Sequence, residues 1–161
     1  MGASETKSRP QQTDVPTSLG DFVGRWVLSR RINDRLTGQI GRVSGVLIMS
    51  ECPEGLSYRE EVTVQIPGQP AMDGTREYLW KDAGDSVDVH FSDGRFFHRF
   101  KLGQATPHAE HWCDPDQYDV EYDFKDWPVW GATWIVKGPR KDYKMSSLLV
   151  KEARRKEAGG T

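Results

Sequence analysis

Residues Gln117 to Phe124 read QYDVEYDF, and their alternation decides the fold. Tyr118, Val120, Tyr122 and Phe124 fall on one side of an extended chain. Gln117, Asp119, Glu121 and Asp123 fall on the other. Successive side chains of a strand point to opposite faces, so a period of two with an apolar and an acidic set predicts a half-buried strand. The same pattern recurs in both directions from it. FVGRWVLSRR alternates Phe22, Gly24, Trp26 and Leu28, and LSYREEVTVQ places Leu56, Tyr58, Val62 and Val64 together. TREYLWK groups Arg76, Tyr78 and Trp80, and SVDVHF groups Val87, Val89 and Phe91. With GRVSGVLIMS, RFFHRFKL, HAEHWC, WGATWIVKG and KMSSLLVK, about ten short strands follow one another with turn signals between them. No segment inside the domain carries a helical period. Meandering antiparallel strands with one wet face predict an all-β fold: a single closed antiparallel up-and-down β-barrel of 8–10 strands, because closure removes exposed edges.

Composition agrees and narrows the function classes. The chain has 161 residues, enough for one domain with a sizeable core, and a formal net charge of −2. That balance, with the acidic run Asp114 to Asp126, argues against nucleic acid as a partner. Mean hydropathy is −0.69, and no apolar run approaches the ~20 residues of a membrane span. Residues 1–18 are polar with two prolines and read as a disordered arm; 19–151 form the barrel; 152–161 are a charged tail. Cys52 and Cys113 stand far apart, as reduced thiols of a cytoplasmic protein do. MGASET fits the N-myristoylation pattern at Gly2, with Thr6 in the required place. One acyl chain supports only weak, reversible membrane contact.

FVGRWVLSR resembles the G-x-W signature of lipocalin-like (calycin) barrels, with Gly24 and Trp26 on the first strand. The resemblance implies that Trp26 plugs one end of the barrel with a late arginine stacked on it, here Arg140 of GPRKDY. The ten strand-like segments are also similar to fatty-acid-binding and nitrobindin-type barrels. The ordered set of G-x-W, FSDGRFFH, H-x-C-x-x-D-x-Y and GPRKDY, over residues 20–150, resembles a functionally uncharacterised family of small lipocalin-like domains. Fold does not give function, so the interior has to be read residue by residue.

In FSDGRFFHRF the Ser92-Asp93-Gly94 turn predicts a hairpin. Simple alternation beyond it places Phe96, His98, Phe100 and Leu102 inward, and Arg95, Phe97, Arg99 and Lys101 outward. Other polar residues also fall on inner faces: Arg30 four after Trp26, Tyr58 with Glu60, Arg76 with Tyr78, and Tyr118 with Tyr122. Buried charge is costly unless paired, and Arg76 with Glu60 is the expected pair. Two inward arginines, a histidine and several tyrosines exceed what a plain core needs. They suit a pocket for a small polar or anionic ligand, with Arg forking onto carboxylate or phosphate. The expected ligand-binding set is Arg30, Tyr58, Glu60, Arg76, Tyr78, His98, His111, Tyr118, Tyr122 and Arg140. His98, His111 and Cys113 lack the tight spacing of a metal site, so neither metal nor cofactor is expected. Two rival classes stay open: an isomerase or lyase using His98 as acid or base, and an interaction module presenting an outer rim of Trp127, Pro128 and Trp130.

Overall fold

The computed structural model describes residues 14–153, so Gly2 and its acylation pattern lie outside the described residues. After a 3₁₀ turn at Leu19–Phe22 come ten strands: β1 (Gly24–Asp34), β2 (Ile40–Cys52), β3 (Gly55–Gln65), β4 (Met72–Asp82), β5 (Ser86–Phe91), β6 (Phe96–Lys101), β7 (His108–Cys113), β8 (Asp116–Asp126), β9 (Val129–Lys137) and β10 (Asp142–Lys151). They form one antiparallel sheet in the order β6-β5-β4-β3-β2-β1-β10-β9-β8-β7. The sheet rolls into an almost closed, lipocalin-like barrel. β6 and β7 meet at the seam by side-chain packing rather than by a hydrogen-bonded ladder; the rings of Phe97 and His111 touch across it at 5.0 Å between centroids. Among the described residues no helix is long and apolar enough to cross a membrane.

One end is stoppered by aromatic rings. Trp26 is fully buried, and its indole N–H donates to the Phe22 carbonyl at 2.9 Å. Phe22 meets Trp80, Trp127 and Trp130 edge-on at 5.1–5.4 Å, the arrangement aromatic quadrupoles favour. The cation over Trp26 is Lys151, 4.5 Å from the ring centroid, with its ammonium also donating to the Val23 carbonyl at 3.1 Å. This corrects the assignment to Arg140. β1 pairs with β10 so that Trp26 faces Lys151 and Asp34 faces Tyr143. The exposed Arg140, in the turn before β10, is therefore at the other end of the barrel. Gly24 has φ +137°, a conformation that side-chain-bearing residues rarely adopt, and an added Cβ would stand 3.1 Å from the Lys151 ammonium. The glycine of the G-x-W motif thus leaves room for the lysine that covers the tryptophan.

The expected outer rim of Trp127 and Trp130 is likewise corrected. Trp130 is 3% exposed and belongs to the stopper, and Trp127 is half-buried against Phe22 and Trp26. The chain before the barrel also takes part: Pro16 is buried, and its carbonyl accepts from Gly103 N–H at 2.9 Å. Beyond β10, Glu152 pairs with Arg25 at 2.8 Å.

Candidate functional site

The hairpin of the FSDG turn forms as expected. Phe91 N–H donates to the Arg95 carbonyl at 2.8 Å, and Gly94 takes φ +96°. The facing of β6 then departs from simple alternation. Val89 pairs with His98 and His90 with Phe96, so Phe97 is one residue too many, a β-bulge. The bulge turns both Phe97 (5% exposed) and His98 (2%) inward and leaves Phe96 half out in solvent at 51%. Phe96 and Phe97 are therefore exchanged relative to the sequence expectation, while His98 and Phe100 face inward as anticipated.

Above the aromatic stopper the barrel interior turns polar. Arg30 from β1 and Glu60 from β3 form a bidentate pair: Nη1 donates to Oε1 at 2.9 Å and Nη2 to Oε2 at 2.7 Å. Arg30 Nε donates to Ser147 Oγ at 2.7 Å, and the Tyr58 hydroxyl donates to Glu60 Oε2. The pair is nearly dry, at 10% and 2% side-chain exposure. Burial pushes the Glu60 carboxyl up, but the Arg30 fork outweighs it and holds the group below its ordinary range. Burial lowers the Arg30 guanidinium, and Glu60 more than restores it. Burial raises the hydroxyls of both Tyr58 and Tyr78. Glu60 thus belongs to Arg30, not to Arg76 as its own strand neighbour suggests. Arg76 sits opposite Glu60 in the β3–β4 ladder and, among the described residues, has no carboxylate partner of its own. Arg76 is exposed and borders the interior from its rim, so the dry Arg30–Glu60 pair is neutral and the surplus positive charge stands at the solvent-facing edge.

His98 reaches the same interior from β6. Its Nε2 lies 2.8 Å from the Tyr122 hydroxyl, while its Nδ1 is buried without a partner. If Tyr122 O–H donates to Nε2, the only orphan is an Nδ1–H donor. The opposite tautomer strands both the tyrosine proton and the Nδ1 lone pair, so the first is preferred. Among the described residues the indole N–H of Trp130 is the second buried side-chain polar atom with no partner. Desolvation, with a smaller contribution from His111, pushes the His98 pKa down to about 3, and burial drives the Tyr122 hydroxyl up.

These side chains line two adjoining spaces. An inner chamber with about 40 Å³ of free volume is lined by Arg30, Tyr58, Glu60, Arg76, Tyr78, His98, Tyr122 and Trp130, among others. An outer vestibule of about 250 Å³ is lined by Arg76, Tyr78, Phe91, Phe97, His111, Cys113, Tyr118, Trp134, Tyr143 and Met145. Arg76, Tyr78, Phe97, Trp134 and Met145 border both. Nine of the ten expected site residues therefore line one or other of these adjoining spaces. Arg140 alone does not; the adjoining Lys141 reaches the mouth instead, donating to the Tyr118 hydroxyl at 3.2 Å and pairing with Asp116 at 3.2 Å. Those two partners raise the Lys141 ammonium above its ordinary value.

His111 and His98 are held apart by the Phe97 ring, which meets them at 5.0 and 4.6 Å. Trp130, Trp134, Ser147 and Met145 were missed as lining residues. Alternation along WGATWIVK and KMSSLLVK carries the signal, since it groups Trp130 with Trp134 and Met145 with Ser147.

The fold has a counterpart among solved structures. An S-type phycobiliprotein lyase from Guillardia theta superposes with a TM-score of 0.60 at 13% identity, over 85% of this chain and 92% of that one. At that identity the likeness establishes the barrel alone. Among curated proteins none matches the chain. Residues 22–151, which span all ten strands, match DUF6314, a family of unknown function, and the chain belongs to that family.

Proposed function

We propose that the barrel binds a small anionic molecule in its interior, with the charged group at Arg76 and the inner chamber. The observation that carries this reading is the pair of buried, unpartnered nitrogens, His98 Nδ1 and Trp130 Nε1, on residues lining one chamber. Buried polar groups in folded proteins are almost always satisfied, so each such orphan calls for an occupant. Both are donors in the preferred tautomer, and donors call for an acceptor. The surplus positive charge at Arg76 selects an anionic one. A water takes ~10–15 Å³ of such space, so the inner chamber holds roughly three waters or one small charged group. A wholly apolar ligand would leave the same groups unsatisfied.

Two rival readings fare less well. A general base works best with a pKa near the working pH, and His98 at about 3 is far below it. The neutral imidazole is instead a fixed hydrogen-bond donor. An interaction module built on Trp127 and Trp130 loses its surface, because those rings belong to the stopper.

An NMR titration of the ¹⁵N-labelled chain with acetate, inorganic phosphate and neutral acetamide tests the proposal. One of the anions is expected to shift the Trp130 indole N–H resonance, acetamide is not, and Arg76→Gln should weaken the anion by about tenfold, the 1.4 kcal/mol of one charge-assisted contact. Equal response to acetamide, or none to either anion, contradicts it.

A further inference from the structure

The outer vestibule is unlike the inner chamber, and its lining narrows the ligand class. This step rests on the anion-binding reading above and adds the part of the ligand that lies outside the charged group. Phe97 and Trp134, from β6 and β9, stack on each other with ring centroids 5.1 Å apart and planes 10° from parallel. Phe91 continues the stack behind Phe97 at 4.4 Å and 22°. His111 meets the Phe97 ring edge-on at 90°, and Tyr118 does so at 83°. The bulge in β6 makes this arrangement, because without the extra residue Phe97 would point to solvent.

From this geometry we infer that the ligand is an aryl acid: one or two aromatic rings bearing a carboxylate or an equivalent anion. Ring faces beside ring edges favour another ring over an alkyl chain of equal area, through offset-stacked and edge-to-face contacts. Volume sets the size. About 250 Å³ exceeds the ~150 Å³ apolar cavity that admits benzene, and it falls short of the ~300–1,000 Å³ of sites for drug-sized ligands. The acid group goes inward. Of the cations at the mouth, Lys141 is already engaged by Asp116 and Tyr118, whereas Arg76 borders both spaces and has no carboxylate partner among the described residues. The inner chamber admits a carboxylate but not a ring.

Calorimetric titration of the full chain with benzoate, cyclohexanecarboxylate and benzamide separates the parts of the claim. Benzoate is expected to bind about tenfold more tightly than cyclohexanecarboxylate, its saturated counterpart, and more tightly still than uncharged benzamide. Trp134→Leu should bring the benzoate-to-cyclohexanecarboxylate ratio to within about twofold. Phe91→Leu, at the opposite end of the stack from Trp134, should lower the same ratio if the Trp134 variant does not fold. Equal binding of the two carboxylates overturns the aryl preference and leaves anion binding standing. Benzamide binding as tightly as benzoate overturns the anionic part. Binding of none of the three overturns the aryl-acid assignment, while the acetate and phosphate titration still reports on the chamber by itself.

Discussion

The two ends of the barrel use similar residues to opposite effect. At the closed end Trp26, Phe22, Phe124, Trp127 and Trp130 fill the interior edge to face, and the Trp26 N–H has its acceptor. At the open end Tyr58, Tyr78, Tyr118, Phe97 and Trp134 line the wall and leave space between them. There the hydrogen-bonding capacity is only partly used, since His98 Nδ1 lacks a partner and Arg76 lacks a carboxylate. Aromatic content alone does not separate core from site. Satisfaction of polar atoms and free volume do. Trp130 lies at the boundary: its ring packs in the stopper, and the residue also lines the chamber.

The comparison breaks most readily at the closed end. Trp26→Ala should cost ~3–5 kcal/mol, the usual range for emptying a buried tryptophan site. For a domain of this size that lowers the thermal midpoint by roughly 2–4 °C per kcal/mol. Calorimetry checks it, and an unchanged midpoint would mean that the ring is no plug.

Next in size is the ion pair of the open end. Glu60→Leu alone strands a nearly dry Arg30 and should cost ~3 kcal/mol or somewhat more. Adding Arg30→Met should recover most of that loss, because a buried pair is often replaceable by apolar residues of similar size. Denaturant unfolding of the two single variants and the double variant closes the cycle. Equal losses from the double and the Glu60 variant would show that Arg30 is not stranded.

Acid should act on the same half. The folded His98 pKa, about 3, lies below the ordinary 6.5. Between those values the unfolded chain takes up a proton that the folded one refuses, so stability falls as the pH is lowered from 6.5 toward 3. The slope is ~1.4 kcal/mol per unit, or ~2 kcal/mol between pH 6.5 and 5. Below the ordinary carboxylate range the depressed Glu60 adds to the loss. Urea midpoints against pH should show this limb in the native chain and a flatter one in His98→Gln; parallel curves would remove His98 from the interior. The smallest effect belongs to Lys151→Ala, which removes a surface cation from the Trp26 face and should cost ~0.5–1 kcal/mol by the same measurement.

Most of the barrel was legible because strand alternation is local. QYDVEYDF, LSYREEVTVQ and TREYLWK each declare their inner face, and that placed Tyr58, Glu60, Tyr78, Tyr118 and Tyr122 along the interior and Arg76 at its exposed rim. What was not legible depends on relations between strands. Glu60 has Arg76 opposite it on the neighbouring strand, yet pairs with Arg30, which stands across β2. Sequence order places Arg140 in the last turn, but only the β1–β10 register shows that eleven more residues are needed to come back to Trp26. The exchange of Phe96 and Phe97 comes from one extra residue in β6, and nothing in FFHRF marks where the bulge falls. Trp127 and Trp130 were misplaced for another reason. A WPVW run looks like a loop-borne aromatic patch until Phe22, far away near the start of the chain, packs against both rings.

The central claim is that the open end holds a neutral His98 with a free donor awaiting an acceptor. Long-range ¹H–¹⁵N spectroscopy of the imidazole ring, recorded from pH 8 to 5 with and without benzoate, tests it most directly. The account predicts a neutral ring throughout, with Nε2 the acceptor from Tyr122 and the Nδ1–H resonance shifting when benzoate is added. A ring that titrates near 6.5, or an Nδ1 resonance indifferent to saturating benzoate, contradicts it.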